Sequence, residues 1–325
     1  MSSSRRIGAL VALIFTVVSC SSPSATNAPA TPTAPATSGH RMHPHDTIGG
    51  GTGKMSLNLG DAALPNGSNI SAIDLGIDAI YVTDASGNQS TVVQNSSPQV
   101  VNVLNYQNGK VTSIGSGNVP TATYASLTIV VDVASSNIVT ASGAAYKVAW
   151  MGAASKSSAD FGATTSTVNN GNGSVSITYA QPFSVLSGIG QTVDVDFNAF
   201  ESLVPIASST SMPARASLSV ASESMEGMIA GSVANASGVA VQNAVVVATD
   251  SNGNAVASGF SDANGNFLLH TLAGGTYTLV VYNNYRTATG LTLTTQGQDN
   301  SSASFAGPSV TVQAGQTTHA GTIAD

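Results

Sequence analysis

Charged side chains are scarce in this chain of 325 residues, at 8% of the total, and basic ones are the scarcest. Nine lysines and arginines stand against 16 aspartates and glutamates, which gives a formal net charge of −7. Proteins that bind nucleic acid displace phosphate counterions with clustered basic side chains, and the sequence contains no such cluster. The composition therefore excludes a nucleic-acid partner.

Cysteine occurs once, at Cys20, so no internal disulfide can stabilise the chain. Cys20 follows two arginines and an apolar run over residues 7–18, a pattern typical of an export signal. This run is too short for a membrane-spanning helix, which needs about 20 apolar residues. The segment Val17-Val18-Ser19-Cys20 resembles the bacterial lipobox. The resemblance implies a signal peptide of residues 1–19, acylation of Cys20 and attachment of the mature protein to a membrane by lipid.

Residues 20–54 are predicted to form a disordered tether. Proline, alanine, threonine and serine fill most of it, and glycine dominates near its end, so it cannot bury enough apolar surface to become ordered. His40, His43 and His45 lie in this tether, and neutral imidazoles bind zinc, copper and nickel. A metal-capturing lipoprotein is therefore one alternative, although a flexible segment lacks the supporting contacts of a specific site.

Apolar residues recur with period two through residues 55–204, as in half-buried strands. Leu127, Ile129 and Val131 alternate with more polar neighbours, and glycine and asparagine mark the turns between such runs. The pattern predicts an all-β fold with an N-terminal β-sandwich or barrel domain.

The ordered features of residues 55–204 resemble the domain of unknown function 4382, a family of bacterial lipoprotein domains. The resemblance rests on the segments Met55-Ser-Leu-Asn-Leu-Gly-Asp61-Ala, Ile73-Asp-Leu-Gly-Ile-Asp-Ala-Ile-Tyr-Val82, Val101-Asn-Val-Leu104, Val119-Pro-Thr-Ala-Thr-Tyr124 and Val193-Asp-Val-Asp196-Phe197-Asn198. It implies a surface-anchored β domain and carries no established activity.

A second β domain is predicted for residues 226–325, after a Ser/Ala-rich linker at residues 205–225. Its ordered motifs include Asp262-Ala-Asn-Gly-Asn-Phe267 and Leu272-Ala-Gly-Gly-Thr-Tyr277, and they resemble the carboxypeptidase regulatory-like domain. The resemblance implies a transthyretin-like or Ig-like sandwich of about seven strands that packs, braces or binds without peptidase chemistry.

Asp194 and Asp196 are the acids that best fit a catalytic test, because alternate residues of a strand share one face about 7 Å apart. That spacing is near the range of inverting glycosidases, so an envelope hydrolase acting on glycans is an alternative. A weak calcium contact that includes Asn198 is another. The favoured interpretation is a solvated strand face, because catalysis needs a cleft and the chain has a single tryptophan, Trp150.

Two runs resemble calcium loops, and two histidines stand apart from the other candidates. The runs start at Asp250 and Asp262, but neither has an acid at the twelfth position, so hairpin turns are the favoured interpretation. His270 and His319 have no evident orienting partner in the sequence, which argues against a role as a catalytic base.

These observations predict a non-enzymatic, lipid-anchored envelope protein that presents two β domains for binding or structural contact. The sequence does not identify the ligand, for which a carbohydrate, a wall polymer or another envelope protein are the alternatives, and no cofactor is expected. Ser21, directly after the cysteine, resembles the outer-membrane sorting pattern of some Gram-negative bacteria. The expected location is thus the outer membrane, on its periplasmic or cell-surface face.

Overall fold

The computed structural model describes residues 51–324 except 62–63, 65–68, 152–164, 181, 189, 204–210, 215, 254 and 283–303. Strands dominate this part of the chain, with a short 3-10 helix at Val103–Tyr106 and one turn of α-helix, α1, at Ala199–Ser202. The all-β prediction is confirmed.

Two sheets form the N-terminal domain. Its strands are β1 (Thr52–Asp61), β2 (Ile70–Asp84), β3 (Gln89–Asn102), β4 (Thr112–Pro120), β5 (Ala122–Thr140), β6 (Ala145–Trp150), β7 (Thr165–Asn169), β8 (Ser174–Tyr179), β9 (Phe183–Val185), β10 (Gln191–Phe197), β11 (Ser211–Ala214) and β12 (Leu218–Ser222). Sheet 1 has the order β12-β10-β1-β4, with β10 parallel to β1 and antiparallel to β12. Sheet 2 has the order β11-β6-β5-β2-β3, and the long β5 also pairs with β8 and β9.

Sheets 1 and 2 enclose one hydrophobic core. Alternate residues of β1 and β5 contribute fully or almost fully buried side chains, namely Met55, Leu57, Leu59, Leu127, Ile129 and Val131. Each such burial stabilises the fold by about 1.5–3 kcal/mol relative to an exposed side chain. The alternation that predicted these strands therefore reflects packing against the opposite sheet.

Strand β4 approaches β3 closely across this domain, and glycine makes the approach possible. A Cβ atom added to Gly117 would lie 2.1 Å from the carbonyl oxygen of Val92. Gly115 has a φ of +138°, in the region that favours glycine. Larger residues at these positions would push the two strands apart.

The C-terminal domain is an Ig-like sandwich of two smaller sheets. Its strands are β13 (Glu226–Ala234), β14 (Val245–Thr249), β15 (Ala255–Phe260), β16 (Asn266–Ala273), β17 (Gly275–Tyr282), β18 (Ser304–Val312) and β19 (Thr317–Ala324). Sheet 3 has the order β16-β13-β19 and sheet 4 the order β15-β14-β17-β18. A second core lies between them and includes Ile229, Val246, Leu269 and Leu279.

The segment predicted to be a linker, residues 205–225, differs from that expectation. It contains β11, which pairs with β6 in sheet 2, and β12, which pairs with β10 in sheet 1. Met212, Ala214 and Leu218 are buried in the core of the N-terminal domain. Serine and alanine made the segment resemble a linker, but their small side chains also fit strands at a crowded sheet edge. Likewise, β1 begins at Thr52, inside the last residues of the predicted tether.

Candidate functional site

Strand β10 is buried on both faces, which corrects the prediction of a solvated acidic face. Val193, Val195 and Phe197 point into the core of the N-terminal domain. On the other face, Asp194 is 5% exposed and Asp196 is 3% exposed. Contacts from β16 to both β10 and β12 place the C-terminal domain against this face. The sequence could not indicate this burial, because the covering strand lies some 70 residues further along the chain.

We call this polar contact region the interdomain seam. It comprises Asp194 and Asp196 of β10, Asn198, Ser219 of β12, Glu226 of β13, Ser258 of β15 and His270 of β16. Two hydrogen bonds tie the domains together directly. The side-chain amide of Asn198 donates to Oγ of Ser258 at 2.6 Å, and the Ser219 hydroxyl donates to the carbonyl oxygen of Val256 at 2.6 Å.

Asp194 lies between two polar partners. The side-chain amide of Asn58 on the neighbouring strand β1 donates to Asp194 Oδ1 at 2.8 Å. The carboxyl group of Glu226 forms a hydrogen bond with Asp194 from the first residue of β13. Burial, and then the nearby charge of Asp194, raise the pKa of Glu226 to about 8. Glu226 is therefore protonated at neutral pH and donates to the Asp194 carboxylate.

Asp196 faces His270 without forming a hydrogen bond. His270 Nε2 lies 3.9 Å from Asp196 Oδ1, beyond hydrogen-bonding distance. Both atoms are buried, and neither has a hydrogen-bond partner among the described residues. Burial raises the pKa of Asp196, and attraction to His270 opposes part of that rise. His270, for which the sequence shows no evident orienting partner, thus lies beside an acid of the other domain without a hydrogen bond to it.

The backbone next to His270 is distorted. Thr271 has a φ of +58°, an uncommon value for a β-branched residue, and its hydroxyl lies 3.0 Å from Nδ1 of His270. The register between β13 and β16 shifts in the same stretch, between Gly227 and Ile229. Such a bulge redirects side chains, and here it accompanies the His270 side chain that faces Asp196.

Asp61 is a buried acid that the search for catalytic residues missed, although it lies in one of the quoted family motifs. Its Oδ1 accepts a hydrogen bond from the backbone N–H of Ala199 at 2.9 Å, and its Oδ2 accepts one from the side chain of Gln107 at 3.2 Å. Burial, and then repulsion by Asp196, raise the pKa of Asp61. Asp61 thus links the end of β1 to the start of α1, directly after β10.

The two resemblances to calcium loops correspond to turns. Asp262 Oδ1 accepts hydrogen bonds from the backbone N–H groups of Asn264 and Asn266, both at 2.8 Å. Asp250 Oδ1 accepts one from the N–H of Asn252 at 2.8 Å. Within the described ranges, no group of three or more His, Cys, Asp or Glu residues is arranged to hold a metal ion.

Several predicted residues remain without a structural test. Cys20 and the histidines His40, His43 and His45 lie outside the described residues. His319 is exposed on β19, the edge strand of sheet 3. In the part of the chain that the structure covers, no helix is long and apolar enough to cross a membrane.

Comparison with solved structures finds several bacterial proteins, pilins among them, at low similarity. The Bacillus anthracis TIE protein is 10% identical with a TM-score of 0.21; the match covers 84% of this chain but 34% of that one, so this chain spans about a third of its length. GBS52, the minor pilin of Streptococcus agalactiae, is 11% identical over 83% of this chain and 94% of its own, with a TM-score of 0.21. The fimbrial anchor protein Mfa2 from Porphyromonas gingivalis is 10% identical over 71% and 78%, with a TM-score of 0.19. These values are too low to support an argument about function.

Comparison with protein families gives a clearer result, whereas no curated protein matches the sequence. Residues 52–211 match the model of the domain of unknown function DUF4382. Residues 228–324 match the model of the carboxypeptidase regulatory-like domain. Both resemblances predicted from the motifs are therefore confirmed, and the chain carries a DUF4382 domain followed by a carboxypeptidase regulatory-like domain.

Proposed function

We propose that this chain is a lipid-anchored protein of the bacterial cell envelope that presents two joined β domains for binding or structural contact. The interdomain seam is the observation that carries the proposal. It fixes one domain on the other through buried side chains and covers the acid pair that the sequence nominates for catalysis.

The alternative is a glycan hydrolase that uses Asp194 and Asp196. Such an enzyme needs two carboxyl groups that flank the scissile bond of a bound sugar. With the domains docked, Asp194 is engaged by Asn58 and Glu226, and Asp196 lies under His270. A sugar ring has no access to the pair in this arrangement, which favours the binding protein.

A double variant, Asp194→Asn with Asp196→Asn, separates the two functions. Both substitutions preserve side-chain size, so the seam can still close. Equal background rates of glycan hydrolysis in wild type and variant would support the binding protein. A measurable wild-type activity that the double variant loses would support the hydrolase.

The lipid anchor is proposed from the sequence around Cys20. Metabolic labelling with an alkyne analogue of palmitate should mark the wild-type protein and leave Cys20→Ala unlabelled. Fractionation should place the labelled protein in the outer membrane and the variant in a soluble fraction. A wild-type protein that carries an unmodified thiol would contradict the anchor.

The ligand is proposed to be a carbohydrate or another envelope protein. Ser, Thr and Asn side chains on the exposed strand surfaces can hydrogen bond with sugar hydroxyls, but aromatic residues make up only 5% of the chain. A glycan array probed with the detergent-solubilised lipoprotein distinguishes the two partners. Saturable binding to a defined glycan supports carbohydrate recognition, and a blank array favours a protein partner.

A further inference from the structure

The interdomain seam is rich in acids. Asp194 and Asp196 come from β10 and Glu226 from β13, while Asp61 at the end of β1 and Glu223 in the turn before β13 lie close enough to interact with them. His270 of β16 is the basic group that faces Asp196. Among the described residues, no lysine or arginine contributes to the shifted pKa values of Asp61, Asp196 or Glu226.

Three polar atoms at the seam are buried without a hydrogen-bond partner among the described residues. They are Asp196 Oδ1, Glu226 Oε2 and His270 Nε2. Burying polar atoms without partners costs free energy, so docking of the two domains is easily disrupted by an added charge at this contact. The hydrogen bond between Glu226 and Asp194 relieves the repulsion between these two acids, and it requires a proton.

We propose that the interdomain seam is a proton-operated joint, in which the proton shared by Glu226 and Asp194 holds the C-terminal domain on sheet 1 and its loss releases that domain. This inference does not depend on the ligand of the protein. Because the seam lies where the domains meet, its opening would expose the surfaces that docking covers, and it would alter no individual binding residue.

The pH range and sign follow from Glu226. Its pKa rises from the ordinary 4.5 to about 8 in the docked protein. The docked state therefore binds a proton that the separated state releases between these values, so docking weakens as pH rises through this interval and is strongest below it. Above pH 8 Glu226 adds a negative charge beside Asp194, with Asp196 close by.

Hydroxyl-radical footprinting of the full lipoprotein in detergent micelles tests the joint, because it reports how far each side chain is exposed. His270 is buried in the docked protein, so its reactivity, normalised to free histidine at the same pH, should rise several-fold between pH 6 and pH 9. Met55, in the core of the N-terminal domain, should stay unreactive. Unchanged reactivity of His270 across this range would overturn the proposal.

Two neutral replacements identify the proton. Glu226→Gln keeps a permanent donor toward Asp194, and Asp194→Asn removes the repelling charge, so the His270 side chain should remain protected from radicals in each variant at pH 9. Asp262→Asn is the matched control, because it removes the charge of an exposed acid in a turn. The side-chain oxygen of asparagine can accept the same hydrogen bonds, so this variant should behave as wild type. Seam variants that lose protection as wild type does would overturn the assignment.

A metal ion bound between the seam acids, in place of the proton, is the remaining alternative to test. Calcium chloride at about 1 mM matches the dissociation constants of the weakest extracellular calcium sites. At this concentration the wild-type domains should stay separated at pH 9. A return of His270 to low reactivity on adding calcium would assign the seam to a metal ion and overturn the proton-operated joint.

Discussion

Asp61 illustrates how one residue of a family motif stabilises the architecture. Its carboxyl group is fully buried, and each oxygen accepts one hydrogen bond, from Ala199 or from Gln107. These bonds hold the end of β1 near the chain that leaves β10. The residue therefore helps to place Asn198 at the seam.

We expect Asp61→Ala to lower the free energy of unfolding by about 2 kcal/mol, because it leaves the buried Ala199 N–H and the Gln107 amide without an acceptor. Asp61→Asn retains one acceptor oxygen and should cost less. Urea unfolding followed by circular dichroism measures both. Equal costs for the two variants would contradict the role assigned to the carboxyl oxygens.

At the scale of elements, the approach of β4 to β3 gives a direct test of packing. We expect Gly117→Ala to destabilise the protein by about 1–3 kcal/mol, because the new methyl group would collide with the Val92 carbonyl. Gly190→Ala is the matched control, since a Cβ atom there meets nothing within 4 Å, and it should change stability by less than about 0.5 kcal/mol. Thermal unfolding compares them, and similar melting temperatures for the two variants would refute the close approach.

The sequence predicted individual strands better than it predicted which elements pack against them. Alternation identified β1, β5 and β10 because one face of each packs into a core. It failed for the second face of β10, because apolar periodicity does not reveal that another domain covers Asp194 and Asp196. It also failed for β11 and β12, whose serine- and alanine-rich composition resembles that of a linker. Pairing between distant segments, which local composition does not encode, decided these cases.

The candidate site was predictable only in part for the same reason. Asp194, Asp196 and Asn198 stood out because they alternate within a single strand. Glu226 and His270 could not be connected to them, since the contacts require two sandwiches with separate cores to pack against each other. Their roles depend on tertiary structure, whereas the family motifs on either side are local and were recognised.

For the whole molecule, we expect stability to peak in mildly acidic solution. Glu226 has a raised pKa, so its contribution is present at low pH and is lost as pH rises from 4.5 to about 8. Asp84 and Asp132 act in the opposite direction. Hydrogen bonds from Asn88 and Ser135, respectively, lower the pKa of these two carboxyls, so their contributions are lost as pH falls below about 4.

Calorimetry of the full protein from pH 3 to pH 9 should therefore give a maximum melting temperature between about pH 4 and pH 5. Glu226→Gln should flatten the alkaline side of this curve and leave the acidic side unchanged. A wild-type melting temperature that rises steadily from pH 5 to pH 9 would contradict this account of the seam.

The central claim is that the two β domains dock through the interdomain seam, and a double-mutant cycle between Asn198 and Ser258 tests it most directly. The two side chains belong to different domains and are joined by a hydrogen bond of 2.6 Å. The account predicts a coupling energy of about 1 kcal/mol between Asn198→Ala and Ser258→Ala in urea unfolding, and additive effects for Asn198→Ala combined with the exposed Thr276→Ala. Strict additivity of the Asn198 and Ser258 substitutions would contradict the docked arrangement.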